Sequence, residues 1–201
     1  QYGSSKLTVR ADATVTNSPG SFGFDDDGVA CQNRLLIDKG VLVGAISSRQ
    51  SAREANEAVG REIFSGSGGA ARSTSFYRAP IDRMTNINVD PGEDGSLEDI
   101  VKNTERGLIL GGEKSWSIGS NREQFHFATD IGWLVEDGVN KGVVRNTTYG
   151  GDTLEFYRSL SAVGDASTWE LQYVNNCGKG APSQIMQLGH GIPVCRFANV
   201  K

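Results

Sequence analysis

The run Asn175-Asn176-Cys177-Gly178-Lys179-Gly180 sets one thiol among residues that suit an exposed turn. A thiolate is both a nucleophile and a soft metal ligand, and a cation beside it, such as Lys179, would lower its pKa from the free value of about 8.5. One thiol fills neither role alone. A nucleophilic cysteine needs a base and a zinc site needs at least three protein ligands, whereas the chain carries two histidines, His126 and His190. His190, between Gly189 and Gly191, is the one that could approach Cys177 as a base, with a surface or hydrogen-bonded histidine as the plain alternative. His126 lies between Phe125 and Phe127, so on a strand it points away from both and towards solvent. Cys31 and Cys195 have no companion motif and read as small buried hydrophobes.

Other patterns fall away on mechanism. Gly66-Ser67-Gly68-Gly69-Ala70-Ala71 imitates a dinucleotide fingerprint but follows a predicted helix, where that motif needs a strand before it. Gly178-Lys179 lacks the Ser/Thr and the upstream glycine of a phosphate-binding loop. Asp25-Asp26-Asp27 has no distal bidentate Glu at calcium-loop spacing and reads as a solvated turn. Asn146-Thr147-Thr148 has the form of a glycosylation sequon and means little without an export signal.

The elements that must position these residues are mainly strands. Arg34–Asp38 and Val41–Ile46 flank Lys39-Gly40, the clearest hairpin signal in the chain. Ser51 with Glu54 resembles a capping box for a short helix that ends near Gly60. Ser96, Leu97, Ile100, Val101 and Leu108 have the spacing of a second helix, and Leu154–Leu160 of a third. After Gly112 the apolar period becomes two, through Trp116 and Ile118, Phe125 and Phe127, and Trp133-Leu134-Val135 before the Asp137-Gly138 turn. This predicts an antiparallel meander with one buried face. Trp169-Glu170-Leu171 opens a further strand towards Cys177. The expected fold is therefore α+β, dominated by antiparallel sheet in meanders and hairpins, barrel-like or sandwich, with two or three short helices.

Composition bounds the rest. The 201 residues suffice for one domain, 1–201. Glycine, at 26 residues, is about twice its average share and marks many tight turns. The net charge of −4, with no Lys/Arg run, excludes the electrostatic footprint of a nucleic-acid binder. No apolar stretch approaches the roughly 20 residues of a membrane span. Three widely spaced cysteines point to free thiols in a reducing, cytoplasmic setting. A start at Gln1 without methionine or signal-like segment points to a processed product or a piece of something longer.

Several segments fall in one recognisable order: Gly23-Phe24-Asp25-Asp26-Asp27-Gly28, Leu36-Ile37-Asp38-Lys39-Gly40-Val41-Leu42, Pro80-Ile81-Asp82-Arg83-Met84-Thr85-Asn86, Pro91-Gly92, Trp133-Leu134-Val135-Glu136-Asp137-Gly138, Val163-Gly164-Asp165 and Cys177-Gly178-Lys179. Together they resemble the C-terminal half of the TldD/PmbA metallopeptidases, also known as modulators of DNA gyrase. The Arg-Met-Thr-Asn and Cys-Gly-Lys segments are the most specific, and the latter is closer to the zinc-bearing TldD branch than to PmbA/TldE. The resemblance implies one zinc held by two histidines of an H-E-x-x-x-H helix and a distant cysteine, which Cys177 matches. No such helix motif occurs in this chain. Asn56-Glu57-Ala58-Val59-Gly60-Arg61 has only its outline, and an arginine does not deprotonate to bind metal.

The resemblance thus implies the C-terminal half of a longer metallopeptidase that cleaves small or unfolded peptides as a homodimer or a heterodimer with a second family member. Cys177 would be the metal ligand, no catalytic residue would lie in this chain, and the chain alone would bind no zinc and be inactive. A non-catalytic peptide- or partner-binding β domain of the PmbA/TldE type is the alternative. A thiol enzyme pairing Cys177 with His190 is a third, from another class.

Overall fold

A computed structural model describes residues 1–200; Lys201 lies outside the described residues. In chain order the strands are β1 (Val9–Asp12), β2 (Asn33–Asp38), β3 (Val41–Leu42), β4 (Ala71–Arg72), β5 (Ile81–Asp82), β6 (Ile87–Val89), β7 (Arg106–Ile118), β8 (Gln124–Glu136), β9 (Val139–Val144), β10 (Thr148–Asp152), β11 (Leu160–Val163), β12 (Glu170–Lys179), β13 (Gln184–Ile192) and β14 (Cys195–Phe197). The helices are α1 (Arg49–Val59), α2 (Leu97–Lys102) and α3 (Thr153–Arg158). Every strand ladder is antiparallel, with one isolated parallel bridge between Asn86 and Gly189. The fold is α+β dominated by antiparallel sheet, as expected, but among the described residues no sheet closes into a barrel.

The first sheet runs β3-β2-β1-β6. Its β2–β3 hairpin turns on Lys39 and Gly40, both at positive φ (44° and 80°), the conformation that matches the twist of a two-residue hairpin and favours glycine. The second arm ends at Leu42, short of Ile46, because Val43 and Gly44 both donate to the Leu36 carbonyl and leave the ladder. Leu7, Ile37, Leu160 and Val163 form the buried cluster, and Tyr2, Val9, Val89, Tyr157, Cys195 and Phe197 pack against it.

The meander is organised around β8. Strand β7 pairs along one side of it, and β9 and β10 share the other. Register places Trp116 opposite Phe127 and Phe127 opposite Tyr149, so these rings share one face, continued by Phe125 and Phe156. That face is not fully covered: Trp116 is 57% exposed and residues 112–118 are exposed throughout. A self-contained monomer of 21.5 kDa exposes about 9,200 Å²; this chain exposes 11965 Å².

The helices start and stop through side chains. Ser48 caps α1 and Ser51 returns the bond, so Ser51 is the third residue of the box and not its cap. Helix α2 is capped by Ser96 and Asp99 and ends at Lys102, with Asn103 and Thr104 side chains binding the carbonyls of Asp99 and Ile100. Leu108, read as helical from its spacing, lies in β7. Among the described residues no helix is long and apolar enough to cross a membrane.

Candidate functional site

Cys177 lies within β12, not in a turn; the turn comes later, at Gly180–Ser183 with a cis Ala181-Pro182 bond. Glycine and asparagine made the segment read as loop, and pairing with β13 overrides that local preference. Val174 faces Leu188 and Cys177 faces Met186, so three steps on β12 match two on β13. The extra residue at Asn175-Asn176 is a β-bulge, which changes the face on which later side chains emerge. A regular strand would put Cys177 with Tyr173 and Asn175. The bulge instead puts it with Val174, on the face of buried Met186 and Leu188, where it is half-buried.

The segment Asp82–Asn86 lies against this strand. Arg83 Nη2 donates to the Cys177 carbonyl at 2.6 Å, and Lys179 Nζ donates to the Asp82 carbonyl at 2.7 Å. Lys179 is therefore engaged with backbone. Nearby, the Arg72 guanidinium donates to the Met84 carbonyl at 2.8 Å and lies 5.3 Å from the Phe22 ring centre. Burial first, then neighbouring Arg83, holds Arg72 below the usual arginine range, while Asp26 and Cys177 act in the opposite sense.

Asn86 anchors the segment. It is wholly buried; its Nδ2 donates to the Asp12 carbonyl at 2.6 Å and to Ser21 Oγ at 2.8 Å, and its Oδ1 accepts from Ser18 Oγ at 2.6 Å. Gly189 must be glycine here, since a Cβ would sit 2.6 Å from Asn86 Oδ1. Asp25, read from sequence as a solvated turn residue, is buried: its carboxylate accepts the amides of Asp27, Val29 and Ala71. Three backbone donors within reach of one carboxylate explain why it folds inward.

The structure does not bring His190 to Cys177. His190 lies opposite Gln172, four residues along β13 from Met186, or about 13 Å at the rise of a strand. Its Nδ1 donates to the Ile87 carbonyl at 3.1 Å. His126 is exposed on β8 opposite Ser117 and Gly150, facing away from the aromatic cluster as expected. Cys195 lies against the buried cluster and burial pushes its thiol up to about 11, the behaviour of an inert thiol.

Zinc demands three or four protein donors. Among the described residues no three of His, Cys, Asp or Glu gather where they could hold a metal. Cys177 is thus a half-buried soft donor that belongs to no such group among the described residues. Alongside it, the outer edge of β12 pairs with no other strand, since β12 ladders with β13 alone. Arg72 and Arg83 were missed as site residues. The Arg83–Asn86 segment was visible as a specific pattern, but its contact with Cys177 spans 94 residues and has no periodicity to betray it.

The class of protein follows from comparison with known families. The family described as PmbA/TldA metallopeptidase C-terminal domain matches residues 1–200, and the chain belongs to it. A metalloprotease TldD homologue of Buchnera aphidicola subsp. Schizaphis graminum is 32% identical over 186 residues, 92% of this chain and 36% of that protein. A metalloprotease of Synechocystis is 28% identical over 201 residues, 100% of this chain and 40% of its own length. The chain therefore spans well under half of these relatives. Among solved structures, TldE from Thermococcus kodakarensis superposes with a TM-score of 0.73 at 21% identity, over 100% of this chain and 40% of that one, a likeness of fold.

Proposed function

We propose that this chain is one domain, the C-terminal half of a TldD-like zinc metallopeptidase that hydrolyses small or unfolded peptides. It contributes Cys177 as a metal ligand and the β12 edge as part of the peptide groove, and it is inactive alone. The observation that carries this reading is a half-buried thiol on a strand whose outer edge pairs with no other strand, where among the described residues no three His, Cys, Asp or Glu gather to hold a metal.

The roles follow from chemistry. Zinc, when bound, lowers the pKa of a water towards about 7 and polarises the scissile carbonyl. Cys177 supplies one soft ligand, and the two histidines and the glutamate that the family resemblance implies lie on the upstream part of the longer protein. An extended peptide adds to the free edge of β12 through backbone hydrogen bonds, which makes recognition tolerant of sequence. Sharing the site between two parts of the protein lets the peptide lie between them.

The extra exposed surface supports assembly with more protein. The chain exposes 11965 Å², roughly 2,800 Å² beyond a monomer of its mass, in the size range of large obligate interfaces. We assign the partner as a second family member, identical or related, in a cytoplasmic setting. An acidic chain without a basic run gives no support to direct DNA binding.

The test compares the full-length protein with its Cys177→Ser variant for zinc content and cleavage of unstructured peptides. Loss of both in the variant supports the reading. Retention of both removes Cys177 from the site and makes this a peptide- or partner-binding domain of the TldE type. Cleavage by residues 1–201 alone with added zinc overturns the inactivity.

A further inference from the structure

We propose that Arg83 is the positioning residue that aims Cys177. The inference rests on the zinc reading above and adds a residue to it. Arg83 is 2% exposed, yet it forms no ion pair with a carboxylate among the described residues. A buried arginine is ordinarily paired with an anion, because desolvating its charge is otherwise costly. Here Nη2 donates to the Cys177 carbonyl and Nε finds no acceptor, while a second guanidinium, Arg72, lies close enough to be perturbed by it. An apolar side chain would fill the space at less cost to stability. What it could not do is hold that carbonyl.

The carbonyl is where a hold is needed. The bulge at Asn175-Asn176 breaks the ladder immediately before Cys177, and a bulged strand bends and twists locally. Arg83 grips the strand at the first residue after that break. The gripping segment is itself held in place: the wholly buried Asn86 side chain bonds to the Asp12 carbonyl of β1 and to Ser18 and Ser21 of the loop that follows, and Arg72 holds the Met84 carbonyl. Lys179, two residues further along β12, is tied back to the Asp82 carbonyl. Both tethers to this one segment thus fall at or just after Cys177, on the side of the strand that follows the bulge. A metal ligand held in its binding geometry before the ion arrives does not have to be ordered by it, and residues that orient ligands typically contribute about 10- to 100-fold in metal affinity.

The test uses the full-length protein, wild type and Arg83→Met, with Thr85→Val as a control. Thr85 is also buried, and its hydroxyl has no partner, so its loss loosens nothing at Cys177. Two readouts do not depend on turnover: the thiolate-to-metal charge-transfer band of the cobalt-substituted protein with zinc affinity, and the iodoacetamide rate of each cysteine in the chelator-stripped protein. Arg83→Met is expected to weaken the band, lower zinc affinity about 10-fold or more, and shift the Cys177 rate several-fold, with Cys31, Cys195 and Thr85→Val unchanged. Arg83→Lys, read in parallel, is expected to move in the same direction by less and carries the test if the methionine variant does not fold. Zinc affinity or Cys177 rate within about twofold of wild type overturns the assignment. If the wild type shows no band that Cys177→Ser removes, the zinc reading falls and the alkylation rates alone decide the role of Arg83.

Discussion

Cys177 and His190 lie on the same face of one β-hairpin, yet four ladder positions separate His190 from the residue opposite Cys177, about 13 Å along the strand. A general base must come within hydrogen-bond reach of its nucleophile. The imidazole is also engaged, with Nδ1 on the Ile87 carbonyl. His190 is therefore not a base for Cys177.

It follows that His190→Ala leaves the reaction of Cys177 with iodoacetamide unchanged at neutral pH, measured by mass spectrometry of the labelled thiol. A fall of about tenfold or more would restore a Cys–His dyad and contradict the geometry.

Alkali is expected to destabilise the fold from about pH 9. Burial pushes the Cys195 thiol up to about 11 and also raises the Tyr157 and Tyr149 phenols, with Tyr2 and Glu113 respectively adding to it. A raised folded-state pKa leaves stability intact below the unfolded-state value and removes it as pH climbs towards the folded value. For Cys195 that loss approaches about 3 kcal/mol between pH 9 and 11. Denaturant melts across this range should show a shallower decline for Cys195→Ala than for the wild type. Parallel declines would contradict a buried thiol.

Asn86→Ala is expected to cost about 2–4 kcal/mol, because it strands the Asp12 carbonyl and the Ser18 hydroxyl in a buried site. Gly189→Ala should be comparably harmful, since its methyl must displace the Asn86 amide. Urea unfolding reads both. A cost under about 1 kcal/mol for Asn86→Ala would show the network to be replaceable.

If peptides add to the edge of β12, backbone N-methylation should matter more than side-chain identity. Methyl groups on alternate residues of a bound peptide remove the amides that face the strand, and methyl groups on the intervening residues leave them. Inhibition constants for the two methylation series should differ by at least about tenfold, near the loss of one to two buried hydrogen bonds. Equal constants would speak against strand addition.

The hairpins were legible wherever a turn signal and alternating apolar residues coincided. Lys39-Gly40 and Asp137-Gly138 both adopt positive φ and both close the expected strand pairs. All three helices were also legible, with ends misplaced where side-chain caps at Ser48 and Asn103 decided them. Illegible were the features built from long-range contacts. The bulge that turns Cys177 inward has no local signature, because an Asn-Asn pair suits turn and bulge alike. The pairing of Arg83 with Cys177 joins residues distant in sequence through a single carbonyl, which leaves no pattern in either segment. Asp25 shows the same limit: an acidic triplet looks solvated until the backbone amides that bury it are in place.

The most direct test of the central claim is zinc content and peptide cleavage of the full-length protein beside its Cys177→Ala variant. About one zinc per chain and peptide cleavage in the wild type, with neither in the variant, is the expected result and makes Cys177 a ligand of a shared site. A variant that keeps its zinc and its activity would contradict the claim and leave Cys177 a structural residue of β12.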